Sequence, residues 1–352
     1  MYPKKRIQIN KKYIGDGYPC YVVAELSGNH DGKLSRVYKL IDKAKSAGVD
    51  AIKIQAYEAD TITIDSNKKD FKIKKDNAWS KFNNLYNLYQ KAQTPLKWIP
   101  SIFDYCKKKN ITIFASVFDM SSVQILKKLN CPAYKIASPE ITDIPLIEEV
   151  AKTKKPIIIS TGLANLKDII LAYKTIIKFN DNLVILKCTS SYPTKESEVN
   201  LKTILDMKNR FKCPIGFSDH TIGNNIPILA SAIGANMIEK HLIDNNKKTV
   251  DSFFSLNHKD FKKLVNQIRQ NEIAFGKISY KISESSTKNL NGRRSLYVVK
   301  KIKKDERITY TNIKSIRPSF GLHPKYLKKV LGKKARKDLN FGDRLKLNDV
   351  KF

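Results

Sequence analysis

No run of about 18 apolar residues occurs in the 352-residue chain, so no transmembrane helix and no membrane partner are expected. The opening stretch MYPKKRIQINKKY is basic but lacks the apolar centre of a secretory signal, and a cytoplasmic location is the resulting expectation. Cysteine is sparse. Cys20, Cys106, Cys131, Cys188 and Cys213 form no C-x-x-C pair, which argues against a disulfide framework or a thiolate metal knuckle and for scattered free thiols. Acidic residues are half as numerous as basic ones, 33 against 66, leaving a net charge of +33. The lysines are spread along the whole chain and no nucleic-acid-binding motif accompanies them. A lysine-rich solvated surface is the simpler reading, no nucleic-acid partner is expected, and the basic field would still attract an anionic small substrate.

What the chain has in quantity is alternation. Eight β-prone runs, at 21–26, 51–55, 111–116, 133–138, 156–161, 183–189, 213–218 and 236–242, are separated by amphipathic helical stretches. Between the first two, Leu34, Val37, Tyr38, Ile41, Ala44 and Ala47 recur at helical spacing and Gly48 follows as a stop. An insertion at roughly 57–100 interrupts the second and third units. Eight such units predict an α/β fold, a (β/α)8 TIM barrel. An open doubly wound sheet is the alternative, but no G-x-G-x-x-G follows the first strand. The pattern stops near residue 275, where GKISYKISESSTKN reads as a linker. The predicted division is a barrel over 1–278, a linker over 279–290 and a small β-rich domain over 291–352. In that last part SLYVVKKIKKDERITYTNIK weakly repeats as LGKKARKDLNFGDRLKLNDVK.

In a barrel of this kind the chemistry sits where strands end. Reading those ends gives Glu25, Lys53 and Gln55, Ser116, Lys135 and Ser138, Ser160, Ser190, Ser218 and His220, then Glu239 and His241. A lysine inside an apolar strand is costly unless paired. Lys53 and Lys135 are therefore either partners of Glu25 and Glu239 or, with the hydroxyls, parts of an anion pocket for phosphate or carboxylate. Each serine has the competing reading of a helix cap. Glu25 is a candidate acid/base or a lysine partner. His220 and His241 end strands that neighbour each other in a closed barrel, so the two imidazoles could share a divalent ion, with Asp219 and Glu239 orienting the rings. Spacing alone is weak evidence for this, and two ordinary histidines stay open as the simpler reading.

The stretches VVAELSGNHDGKLSRVYKLIDKAKSAGVDAIKIQAY, CPAYKIASPEITDIPLIEEVAKTKKPIIISTGLA, GFSDHTIG and IEKHLI resemble the sialic acid synthase family, which condenses phosphoenolpyruvate with an acylamino sugar. The resemblance spans nearly the whole chain, and IKSIRPSFGLHPKYLKKVLGKKARKDL is similar to the antifreeze-like (SAF) domain that ends those enzymes. AELSGNH, LYNLYQKAQTP, DSFFSLNHKDF and RPSFGLHP resemble the branch of the family that forms pseudaminic acid from 2,4-diacetamido-2,4,6-trideoxy-L-altrose. The alternatives are the branches forming neuraminic or legionaminic acids, or a catalytically inactive carbohydrate- or nucleic-acid-binding barrel.

The resemblance implies a phosphoenolpyruvate pocket of Lys53, Ser116, Lys135, Ser138, Ser160, Ser190, Tyr192 and Ser218. It implies His220 and His241 as ligands of manganese or magnesium, with no organic cofactor. Glu25 matches a carboxylate near the reacting carbons, and Gln55 and Glu140 match sugar contacts. Arg317 matches an arginine that the tail domain delivers into the partner's site in a domain-swapped homodimer. Two positions depart from the pattern: Ser190 stands where relatives often carry asparagine, and Arg293 or Arg294 where some carry phenylalanine. If sites are shared in this way, Arg317→Ala mixed with a Glu25→Gln chain regains part of the lost activity. No recovery after confirmed subunit exchange would count against the swap.

Overall fold

The eight apolar runs form strands, and most are entered from the end of a helix through a Gly or Asn. They are Tyr21–Glu25 (β1), Ala51–Ala56 (β2), Thr112–Val117 (β3), Tyr134–Ile136 (β4), Ile157–Ser160 (β5), Leu183–Cys188 (β6), Ile215–Asp219 (β7) and Met237–Ile243 (β8). This computed structural model describes residues 2–244 and 248–352. Each strand pairs in parallel with the next, and β8 pairs with both β7 and β1, so the sheet closes into a barrel and the open-sheet alternative is excluded. The fourth strand stops at Ile136, short of the predicted run, where the chain turns tightly through Pro139–Thr142.

The helix over Leu34–Ala47 (α1) buries Val37, Ile41, Ala44 and Ala47 of the predicted stripe, with Leu40 in addition, while Leu34 and Tyr38 are half-buried against the same core. Gly48 ends it at φ +84°, a conformation that costs glycine nothing, and its N–H returns to Ala44 O and Lys45 O. Strand and helix side chains share one apolar core running from Ile7 to Ile268. All five cysteines are free and buried. No helix among the described residues is long and apolar enough to cross a membrane.

Three features were not anticipated. An antiparallel hairpin, Arg6–Ile9 with Lys12–Gly15, lies across the N-terminal ends of the strands, where Asn10 Nδ2 donates to Thr112 Oγ1 at 3.1 Å. The insertion forms a short helix, Leu85–Ala92, and a separate apolar cluster in which Leu88, Ala92 and Val250 are buried among Ile73, Trp79, Phe82 and Tyr89. Finally, Lys240 and Asp219, side by side on β8 and β7, form a fully buried ion pair. Glu239 and His241 flank Lys240 on a strand of alternating faces, so the pair points to the opposite side of the sheet from them.

The chain divides into units Met1–Gly276 and Lys277–Phe352. The second contains two antiparallel pairs, Ser295–Val298 with Ile313–Ile316 and Lys334–Ala335 with Val350–Lys351. Its weak repeat is a structural one. Val298, Ile302, Ile308 and Ile313 and their counterparts Ala335, Leu339, Leu345 and Val350 together make most of the core. The turns repeat too: Lys303 N–H donates to Glu306 and Asn340 N–H to Asp343, while Thr309 N–H donates to Asn312 and Lys346 N–H to Asp349. Ile302 and Leu339 exchange both backbone hydrogen bonds, so the copies interlock.

Truncating Lys240 to alanine strands the Asp219 carboxylate in the core. We expect a stability loss of roughly 3–5 kcal/mol, read as a lowered urea midpoint, and recovery of most of it in the Lys240→Met/Asp219→Leu double variant.

Candidate active site at the strand ends

A cavity of about 660 Å³ opens at the C-terminal ends of the barrel strands. Lys53, Gln55, Lys135, Ser138, Glu140, Ser160, Tyr192, Ser218, His220 and His241 all line it. Glu25 and Ser116 are fully enclosed and lie beneath its floor. Ser190 sits just behind the wall, beside Gly162 and Ser138. Arg317 is an exposed residue of the second unit, directly after the strand Ile313–Ile316.

The floor is a buried cluster of four charges. Strand register sets Glu25 beside Lys53 and Ser116 beside Lys135. Lys53 Nζ lies 2.5 Å from Glu25 Oε2 and 3.3 Å from Glu239 Oε1, and donates to Ser116 Oγ at 3.0 Å. Lys135 Nζ reaches the same Glu239 oxygen at 3.4 Å, and Ser218 Oγ donates to it at 3.2 Å. Both lysines are thus paired and also face the cavity, so the two readings of them hold together. Burial pushes Glu239 upward, but Lys135 and Lys53 overcome it and hold its carboxyl down at about 2. Burial also pulls Lys53 down, and Glu239 with Glu25 more than reverses this. Lys135 is left below the ordinary lysine value by burial. Glu25 lies above the carboxylate range, raised first by burial and then by Glu239 despite Lys53. The cluster therefore sets two carboxylates apart around shared ammonium groups, Glu239 held low and Glu25 raised.

None of these hydroxyls makes a cap hydrogen bond: Ser138 precedes the turn Pro139–Thr142 without one, and the helices after β3, β4 and β5 are capped by Asp119, Asp143 and Asn165. Ser138 Oγ accepts the Gly162 N–H at 3.0 Å, and Ser160 Oγ is enclosed without a hydrogen-bond partner. A Cβ on Gly162 would lie 2.3 Å from Ser190 Oγ and 2.9 Å from Ser138 Oγ, so only glycine leaves these oxygens room. Hydroxyls that share a cavity with two ammonium groups form a cradle suited to a phosphate or carboxylate.

The rings of His220 and His241 are 5.4 Å apart, and Tyr192 lies 4.4 Å from His220. His220 Nδ1 meets Thr189 O at 3.0 Å; a carbonyl only accepts, so this nitrogen carries hydrogen and Nε2 keeps its lone pair in the neutral ring. His241 Nδ1 meets Ser27 Oγ at 3.1 Å. Burial, His220 and Lys53 hold His241 well below the usual range, hence neutral. Burial also works against a charged His220, but the neighbouring Cys188 thiol and Thr189 O raise it. The ring orienters are therefore Thr189 and Ser27. Asp219 and Glu239, expected in that role, are occupied elsewhere: Asp219 by Lys240 and the Thr221 N–H, Glu239 by the two lysines. Among the described residues no group of three or more His, Cys, Asp or Glu is arranged to hold a metal. Two imidazoles with engaged Nδ1 atoms still fit a divalent ion that takes its other ligands from water and substrate.

The cavity also contains residues that strand-end reading passed over: Cys188, Asp251, Phe254, Tyr57 and Trp79. Asp251 is buried, with Oδ2 4.0 Å from His241 Nδ1, and burial raises its carboxyl. It lies beyond β8, where no strand pattern marks it; its only sequence signal is an acid beside two aromatics in DSFF.

A model of the NeuB family matches residues 40–280, and one of the SAF domain matches residues 293–351. Pseudaminic acid synthase of Campylobacter jejuni is 45% identical over 94% of this chain and 96% of its own length. Pseudaminic acid synthase of Helicobacter pylori is 42% identical over 94% and 98%. The crystal structure of a spore coat polysaccharide biosynthesis protein from Bacillus subtilis matches with a TM-score of 0.67, at 30% identity, over 99% of both chains.

Glu140 provides a pH test. Burial raises its carboxyl to about 7, above the ordinary 4.5, so the native state holds this proton more tightly than the unfolded chain. The stabilisation this brings is complete below the ordinary value and is lost as pH rises through about 7. Relative to Glu140→Gln, the parent should lose on the order of 3 kcal/mol between pH 4.5 and 8, measured by urea unfolding of both proteins.

Proposed function

The chain belongs to the NeuB family, and from that premise we propose that it is a pseudaminic acid synthase. It joins phosphoenolpyruvate to 2,4-diacetamido-2,4,6-trideoxy-L-altrose, giving a nine-carbon 2-keto sugar acid and phosphate. The enzyme is a transferase. The sugar is supported by the two relatives of that activity, which align over nearly their whole length. The reaction type is supported by one observation above all: two ammonium groups and the hydroxyls of Ser138, Ser160 and Ser218 open into the same cavity as a pair of imidazoles.

Carbon 3 of phosphoenolpyruvate attacks the aldehyde carbon of the open-chain sugar, and water adds at carbon 2. The adduct then loses phosphate by C–O cleavage. Lys53 and Lys135 hold the carboxylate and phosphate in register, with Ser138, Ser160, Ser190 and Ser218 completing the oxyanion contacts and Ser116 steadying Lys53. His220 and His241 would hold a divalent ion, manganese or magnesium, which supplies Lewis-acid polarisation of the aldehyde oxygen. Glu25, with its raised proton affinity and its contact to Lys53 Nζ, takes up the proton that the added water gives away. Gln55, Glu140 and Tyr192 contact the substrates from the wall. Arg317 acts on the site of a partner chain in a swapped dimer. No organic cofactor is required, because the nucleophile is already an enol phosphate.

The test is phosphate release from phosphoenolpyruvate with the diacetamido sugar in ¹⁸O-labelled water. Label is expected in the keto acid and not in phosphate, and label in phosphate would sink C–O cleavage. Exhaustive chelation should abolish turnover and Mn²⁺ should restore it; full activity after chelation would remove the histidines' assigned task.

A further inference from the structure

Among the described residues, nine other than glycine hold a left-handed backbone with positive φ. Eight of them are exposed or half-buried, and six of those are Asn or Asp, which tolerate the conformation best. The ninth is Ser27, at φ +39° and only 1% exposed, at the start of the turn Ser27–His30 that follows β1. Glycine would sit there without strain; a buried serine in that conformation marks a site where the side chain is needed. Its contacts show for what. Ser27 N–H donates to Glu25 Oε1 at 2.7 Å, and Ser27 Oγ meets His241 Nδ1 at 3.1 Å. The Ser27 side chain also hydrogen-bonds the buried Asp251, which accepts the Gly28 N–H as well. Asp251 Oδ2 is itself 4.0 Å from His241 Nδ1, too far for a hydrogen bond, so the hydroxyl joins the two.

The direction of these bonds decides what His241 can do. Thr189 O sets the His220 ring unaided, because a carbonyl only accepts. A hydroxyl donates or accepts, so Ser27 fixes His241 only if its single hydrogen is committed elsewhere. A carboxylate oxygen only accepts, and Asp251 takes that hydrogen. Ser27 Oγ is then left to accept from His241 Nδ1–H, and Nε2 keeps the lone pair that a metal requires. We infer that Asp251, Ser27 and His241 form an orienting relay, and that Ser27 is held in a backbone suited to glycine because its hydroxyl must reach both partners. Ser27 and Asp251 are thus positioning residues. The Ser27 N–H ties the same relay to Glu25, so one residue sets the geometry of both the proposed base and the histidine. This inference rests on the reading that His220 and His241 hold a divalent ion.

The experiment measures Mn²⁺ binding to the metal-free, full-length protein by loss of the free-ion EPR signal, and unfolding in urea, for the parent, Ser27→Gly and Ser27→Ala. Both substitutions remove the hydroxyl and keep the N–H that holds Glu25, but only glycine suits the backbone. The Kd for Mn²⁺ should rise about 10–100-fold in both variants. Ser27→Gly should nonetheless unfold at a higher urea concentration than Ser27→Ala, so that affinity follows the hydroxyl and stability follows the backbone. Asp251→Leu, which cannot take the hydroxyl hydrogen, should raise Kd as well. A parent-like Kd in Ser27→Gly would overturn the relay and leave the metal reading intact. A raised Kd in Asp251→Leu alone would assign Asp251 to the ion directly, and would also overturn the relay. A parent protein that binds no Mn²⁺ would overturn the metal reading, and this inference with it.

Discussion

Four buried charges at the centre of the barrel set the terms for everything around them. Lys53, Glu25, Glu239 and Lys135 are each almost fully removed from water. None could stay ionised there alone, and losing one partner of such a set typically costs about 3–5 kcal/mol. Their contacts require a fixed strand register, with Glu25 level with Lys53 and His241 level with Glu25. A slip of one residue would turn a strand's polar set out of the barrel. The Lys240–Asp219 pair on the other side of the sheet fixes β7 against β8 in the same way. Residues that face the cavity, Glu239 and His241, alternate along β8 with Lys240, which pairs with Asp219.

The histidines depend on that register without touching the residues nearest them in sequence. Asp219 precedes His220, yet its carboxylate points through the sheet to Lys240. Glu239 lies two residues before His241 and is spent on the lysines. The rings are aimed by Thr189 O and Ser27 Oγ, atoms of the loops after β6 and β1. Alternation along a strand explains this: neighbours face opposite sides, while atoms distant in the chain share the barrel mouth. The electrostatics follow the same division. His241 is kept neutral by burial, His220 and the cations of the floor, and Glu239 is kept charged by Lys135 and Lys53.

Around this rigid centre the chain adds parts of looser specification. The insertion builds a small apolar cluster of its own, apart from the main core, and that cluster forms one wall of the cavity. The second unit is made twice from one pattern, and its interlocked copies share a core that neither could bury alone.

Much of this was legible in the order of residues. Eight strands, the α1 stripe with its Gly48 stop, the repeat in the tail and the line of polar strand ends all follow from local periodicity and turn chemistry, which one stretch of chain determines by itself. The lysines could also be read as either paired or ligand-facing. That both hold, that Glu25 lies beneath the floor while Lys53 lines it, that Asp219 serves Lys240, and that Asp251 and Trp79 enter the cavity from outside the strand pattern were decided only by the closed barrel. Those outcomes depend on pairings between residues far apart in sequence, such as Lys53 with Glu239 and Trp79 with Val250, and on which face of a closed sheet each side chain occupies. Local pattern states which groups want a partner; only closure of the barrel states which partner is within reach.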